Sequence, residues 1–236
     1  MKPILVTGGA RGLGAQICLQ LACAGHDLVL HYCTRAIEAL QVAELCRQQR
    51  VHVDVIQGDF STQASLESFI ERYLTCFSHT KGVVNNVGYY LIAPSYETSN
   101  SQWIDLFQTN FFAPVFLTQA LLPSLRAEQG GIVNIGVTGF HAKRTFIKGM
   151  AYGATKAALL FYTLSLAKEL ALEGIRVNMV SPGYMENAID LPELADLPFK
   201  RPATLTEVAH MVATLFAPES AYITGQNIEI AGAIGL

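Results

Sequence analysis

"PILVTGGARGLGAQICLQLACAGHDLVLHY", residues 3–32, decides the fold of this chain. It opens on a short apolar run, "PILVTG" (3–8), and turns through "TGGARGLG" (7–14). Next comes an amphipathic stretch in which Ile17, Leu21 and Ala24 share one helical face, with Gly25 placed to end it. A second apolar run, "DLVLHY" (27–32), closes the segment. Strand, glycine-rich turn, helix and strand over such a length make one crossover unit with parallel strands. Glycines at 8, 12 and 14 permit a tight turn and close helix packing, and they leave amide hydrogens at the helix start aimed at an anion. Their spacing is not the usual GxGxxG, but a glycine loop directly after a first strand reads as a nucleotide-phosphate cradle.

The alternation continues outward. Further strand candidates are "HVDVIQG" (52–58), "GVVNNVG" (82–88), "GIVNIGV" (131–137), "IRVNMVSPG" (175–183) and "IEIAG" (228–232). Helical patterns lie between them, so residues 1–236 are expected to form a single α/β domain. Its architecture is a Rossmann-type doubly wound parallel sheet of about seven strands in three αβα layers. Ser61 and Thr62 are capping candidates for "STQASLESFIERYL". Pro114 and Pro123 predict kinks or breaks in the apolar helix "SQWIDLFQTNFFAPVFLTQALLPSL". The helix "YGATKAALLFYTLSLAKELALEG" is apolar around much of its circumference and needs cover on more than one side. The proline-rich stretch 181–204 has no periodicity, and its part at about 184–204 is expected to be a lid over a site.

Composition narrows the class. Apolar residues make up 51% and charged residues 15%, which suits a sheet buried on both faces. Apolar stretches are all interrupted well short of ~18 residues, so no membrane span is expected. The N-terminus runs straight into a strand pattern without signal-peptide architecture, and the expected location is cytoplasmic. A net charge of −3 without a long basic run argues against nucleic acid. Cys18, Cys23, Cys33, Cys46 and Cys76 form no CxxC pair and read as reduced thiols. The histidines have no metal-ligand spacing, so no metal is expected, and there is no GxSxG elbow.

The second strand ends "LHYCTR" with no acid at Tyr32 or Cys33, where an NAD site places a carboxylate for the ribose hydroxyls. Arg11 and Arg35 could instead converge on a 2′-phosphate, so NADP(H) is expected over NAD(H). Further on, Tyr152 and Lys156 stand about one helical turn apart, phenol and ammonium on one face.

With "TGGARGLG", "NNVG" (85–88), Asn110 in "TNFFAP", "YGATK" and "SPG" (181–183) in this order, the chain resembles the short-chain dehydrogenase/reductase family over residues 4–232. Within it, "LPFKRPATLTEVA" and "YITGQNIEIAG" are similar to the 3-oxoacyl-carrier-protein reductases of fatty acid biosynthesis. The resemblance implies that Tyr152 protonates a developing alkoxide. Lys156 and the cofactor's positive ring would lower its pKa, which is ordinarily near ~10. Asn110 would anchor a water relaying protons to Lys156. Gly8, Arg11, Gly12 and Leu13 would surround the pyrophosphate and adenine ribose, and Asp59 with its neighbour Phe60 the adenine. Asn86 and Gly88 would line the cofactor ribose, and Pro182, Gly183 and Met185 the nicotinamide. Asp59 reads equally well as a turn residue before Ser61.

The resemblance also exposes departures. The family's serine at the end of the fifth strand is replaced by Val137. Thr138 could substitute only if the strand bulges by one residue; the alternative is a site without that donor. Val87 and Asn187 replace a small residue and a threonine. Lys143, Arg144 and Lys148 could receive a phosphate or an acidic carrier, or be merely solvated. The expected function is NADPH-dependent carbonyl reduction by a homodimer or homotetramer. A pteridine or other small-carbonyl reductase and a low-turnover NADP-binding sensor or assembly subunit are the alternatives.

Overall fold

The structure, a computed structural model, describes residues 2–140 and 149–234. Seven parallel strands form one sheet in the order β3-β2-β1-β4-β5-β6-β7. They are β1 (Ile4–Val6), β2 (Leu28–Tyr32), β3 (Val53–Gln57), β4 (Gly82–Asn85), β5 (Gly131–Ile135), β6 (Arg176–Pro182) and β7 (Asn227–Ile230). The helices are α1 (Gly12–Cys23), α2 (Ala36–Arg47), α3 (Gln63–Cys76), α4 (Asn100–Phe107), α5 (Ala113–Glu128), α6 (Met150–Leu170) and α7 (Leu205–Thr214). This is the expected doubly wound α/β arrangement.

Alternate residues along each strand feed two separate cores. On one face Ile4, Val6, Leu28, Leu30 and Val84 pack with α1, α2 and α7 through Ile17, Leu21, Ala39 and Val212. On the other, Leu5, Val29, Val83 and Ile132 pack with α3, α5 and α6 through Phe69, Leu117, Leu121 and Leu166. Strand order reverses between β1 and β4. Helices leave these two neighbours on opposite faces, which opens a crevice at their carboxyl ends.

Local chemistry sets the element ends. Thr62 caps α3 in a reciprocal capping box with Ser65. The expected fourth strand, 82–88, leaves the ladder after Asn85, because Asn86 and Val87 turn their amides to the Thr7 hydroxyl. The two prolines behave differently from each other. Pro114 follows a π-turn, Gln108–Phe112, in a coil that runs on from α4 into α5, so the helix widens just before the residue that has no N–H to give it. Pro123 sits inside α5, which runs on to Glu128, so the break expected there does not occur.

Candidate active site

The crevice is floored by the glycine loop. The Gly8 backbone has φ +68°, a conformation that side-chain-bearing residues rarely adopt. A Cβ on Gly14 would stand 2.1 Å from the Gly8 carbonyl oxygen, so the bare glycine lets α1 start directly against the loop. No side chain caps α1, and its first turn holds no acidic residue, so the positive helix end is left for an anion. A dinucleotide pyrophosphate fits this cradle. Asn86 braces it from β4, donating through Nδ2 to Thr7 O (2.9 Å) and Gly8 O (3.3 Å). Arg11, beside Leu13 in the cradle, is exposed at the start of α1. Arg35, at the start of α2, is ion-paired with Glu38 at 3.3 Å.

Other residues assigned to the cofactor lie less simply. Asp59 accepts from Ser61 N and Ser61 Oγ, both at 2.9 Å, and so serves the turn before α3. Phe60 is buried and stacked on His31, behind the loop. Pro182 ends β6, and a Cβ on Gly183 would stand 3.0 Å from the Ala231 Cα. Met185 bridges to Ala203, and the Nδ2 of Asn187 lies 3.3 Å from where a Cβ of Gly12 would stand. Asn187 thus brings the start of the 184–204 segment beside the glycine loop.

The residues expected to handle protons lie between α6, the π-turn and the loop after β4. Asn110 is fully buried in the π-turn. Its amide donates to Tyr89 O (2.9 Å) and Thr155 Oγ1 (3.1 Å), while its oxygen accepts from Tyr89 N at 2.7 Å. Thr155 in turn donates to the Tyr152 carbonyl at 2.7 Å. Lys156 is 3% exposed and donates to Ile135 O at 2.8 Å. Gly88 lies beside both groups: a Cβ there would stand 3.6 Å from Asn110 Oδ1 and 3.6 Å from Lys156 Nζ.

The expected lowering of the phenol pKa rests on Lys156 together with the cofactor's positive ring; in the protein alone burial has the larger effect. The Lys156 ammonium lies over the Tyr152 ring, 5.6 Å from its centroid. Burial dominates and pushes the phenol above its ordinary range, and Asp190 adds to that rise. Burial also brings the Lys156 ammonium down to about 8 from 10.5. The folded protein thus sheds this proton before the unfolded chain does, and stability rises with pH between about 8 and 10.5. Relative to Lys156→Met, wild type should gain about 2 kcal/mol between pH ~7 and ~10 in denaturant titrations.

Thr138 is turned to another task. Gly136 N and Thr138 N donate to Val180 O and Pro182 O, so the pairing with β6 continues without a bulge. The Thr138 hydroxyl donates to Glu229 Oε2 at 2.6 Å. Thr138→Val should therefore change a reductive rate by less than about threefold, against ~10²–10³ for loss of a true oxyanion donor.

Tyr90 and Asp190 carry no local signature in the sequence. The Tyr90 ring meets Tyr152 edge-on, centroids 4.7 Å apart, and its hydroxyl donates to Asp190 at 2.6 Å. These partners come from segments with no shared pattern. Thr155 was findable, three residues after Tyr152 on the same face. Lys143, Arg144 and Lys148 lie outside the described residues. Among the described residues, no three His, Cys, Asp or Glu side chains gather as a metal site, and no helix is long and apolar enough to cross a membrane.

A doubly wound sheet with an uncapped glycine loop and a Tyr–Lys pair, Lys156 buried and Tyr152 half-buried, is the arrangement of a Rossmann-type oxidoreductase. Comparison narrows the class. Residues 2–196 match the short chain dehydrogenase family. The 3-oxoacyl-(acyl-carrier-protein) reductase of Staphylococcus epidermidis is 32% identical over 244 residues, covering 98% of each chain. The acetoin dehydrogenase structure from Enterobacter cloacae superposes with a TM-score of 0.89 at 27% identity, covering 98% of this chain and 94% of that one. An angucycline C-6 ketoreductase with bound NADP gives a TM-score of 0.89 at 27% identity, covering 99% and 95%. The chain belongs to the short-chain dehydrogenase family and is an oxidoreductase acting on carbonyl or hydroxyl groups.

Proposed function

We propose that the chain is an NADPH-dependent carbonyl reductase of the 3-oxoacyl-(acyl-carrier-protein) reductase type. The observation that carries this reading is that Asn110 and Lys156 meet beside Gly88, with the Lys156 ammonium over the Tyr152 ring. Hydride is what the dinucleotide supplies when bound. Tyr152, held protonated by burial and Asp190, suits the reductive direction, in which a carbonyl oxygen must receive a proton. Both N–H groups of the Asn110 amide are spent, so its oxygen is the side-chain atom left to hold a water. A water beside Gly88 would reach that oxygen and Lys156 Nζ together, giving the phenol a route for reprotonation. The 184–204 segment acts as the lid, and Arg11 and Arg35 meet the 2′-phosphate.

The relatives support the substrate class: one is named as a 3-oxoacyl-(acyl-carrier-protein) reductase and another was solved with NADP. An apolar hollow lined by Trp103, Ile104, Phe107 and Phe112 supports self-association, since Ile104 is 68% exposed and Phe161 on α6 is 75% exposed. A second copy on these helices would cover them. The test is oxidation of NADPH, and of NADH in parallel, with an acetoacetyl thioester. Turnover that prefers NADPH and vanishes in Tyr152→Phe carries the proposal. Tight NADPH binding with equal, negligible turnover in both proteins favours a sensor, a reading the diverted Thr138 hydroxyl also supports.

A further inference from the structure

We propose that His31 is a positioning residue for the glycine loop: its neutral ring ties the Gly8 amide to the Gly58 carbonyl and so fixes the floor of the cofactor site. His31 follows the apolar Leu28, Val29 and Leu30 in β2, and it is 1% exposed at the strand's carboxyl end. Gly8 N lies 3.1 Å from Nδ1, and Nε2 lies 3.1 Å from Gly58 O. The tautomer follows from these partners. An amide N–H can only donate, so Nδ1 accepts; a carbonyl can only accept, so Nε2 carries the proton and donates. A charged ring would present a proton to the Gly8 N–H. Burial keeps the ring neutral, holding its pKa down at about 4.

The surroundings fix the ring's plane. Phe60 stacks on it at 4.3 Å with planes 9° apart, and Phe69 meets it edge-on at 5.1 Å. The His31 carbonyl accepts from Gly9 N at 2.8 Å, so one residue holds two successive amides of the loop. The consequence concerns which loop groups face a ligand. With Gly8 and Gly9 amides turned inward to His31, the first-turn amides of α1 are left for an anion.

The proposal rests on the dinucleotide reading of the site, and the test separates the two. An asparagine side chain ends where Nδ1 stands, and its oxygen can accept from Gly8. A glutamine reaches the Nε2 position and can donate to Gly58, with nothing for Gly8. NADPH affinity by fluorescence titration should stay within about threefold of wild type in His31→Asn, and fall about tenfold or more in His31→Gln and His31→Leu. Amide hydrogen exchange at Gly8 in the ligand-free protein gives a readout independent of cofactor. It should stay slow in wild type and His31→Asn, and quicken in the other two. Equal affinity and equal Gly8 protection in His31→Asn and His31→Gln overturn the proposal, as does equal loss in all three folded variants. A wild type that binds neither NADPH nor NADH overturns the dinucleotide reading, while the exchange pattern still decides what His31 holds.

Discussion

Tyr152→Phe should lower carbonyl reduction by about 10³-fold while leaving NADPH affinity within about threefold. The change removes one oxygen and keeps the ring, whose edge-on contact with Tyr90 and position under the Lys156 ammonium do not depend on the hydroxyl. Thr155 holds the Tyr152 main chain, not its side chain, so the helix start should stand as before. Removing a buried phenol that is held away from ionisation also removes a polar group from a desolvated place, so thermal unfolding should come no earlier than in wild type. A rate that falls only a few-fold would mean that another acid delivers the proton, and the assignment of Tyr152 would be lost.

Gly14→Ala should be the most damaging small substitution at the nucleotide end. In a helix, alanine is ordinarily favoured over glycine by about 1 kcal/mol. Here the added methyl would meet Gly8 O at 2.1 Å and Asn86 Nδ2 at 2.7 Å. Neither can retreat easily: Gly8 and Gly9 are tied to His31, and Asn86 is tied to Thr7 and the Gly8 carbonyl. The overlap should outweigh the helical preference and destabilise the protein by about 2 kcal/mol. NADPH affinity should fall by about tenfold or more, because the amides at the start of α1 would be pushed away from the loop. Urea unfolding and cofactor titration of the same variant check both. A variant as stable and as tight as wild type would show that α1 can slide, and that the close approach at Gly14 is not needed.

Much of this was legible in the chain. The seven strands announced themselves because a parallel sheet covered on both faces writes each strand as a short, nearly continuous apolar run. The glycines of the cradle and the Tyr152–Lys156 spacing were legible because backbone turns and helical periodicity are local properties, whereas Asn110 came from the family resemblance. Pro123 misled, since the sequence does not show that α5 continues past it to Glu128. Thr138 left two readings open, and the partner its hydroxyl takes, a carboxylate on β7, is remote in the chain. What burial does to the Tyr152 phenol was hidden for a similar reason. Helical spacing shows that an ammonium is near, but not that burial outweighs it or that Asp190 stands close by. Tyr90 and Asp190 are a hundred positions apart, and no periodicity links them.

The π-turn at Gln108–Phe112 has one more implication. Its wide coil spends a residue more than a regular α-helical turn needs, and in doing so delivers Asn110 to Tyr89 and Thr155. Deleting a single residue there would let α4 and α5 merge into one uninterrupted α-helical rod with Pro114 in its interior. The asparagine would rotate off its partners. Helical regularity and proton traffic are in competition at this point of the chain, and the fold has kept the irregular coil.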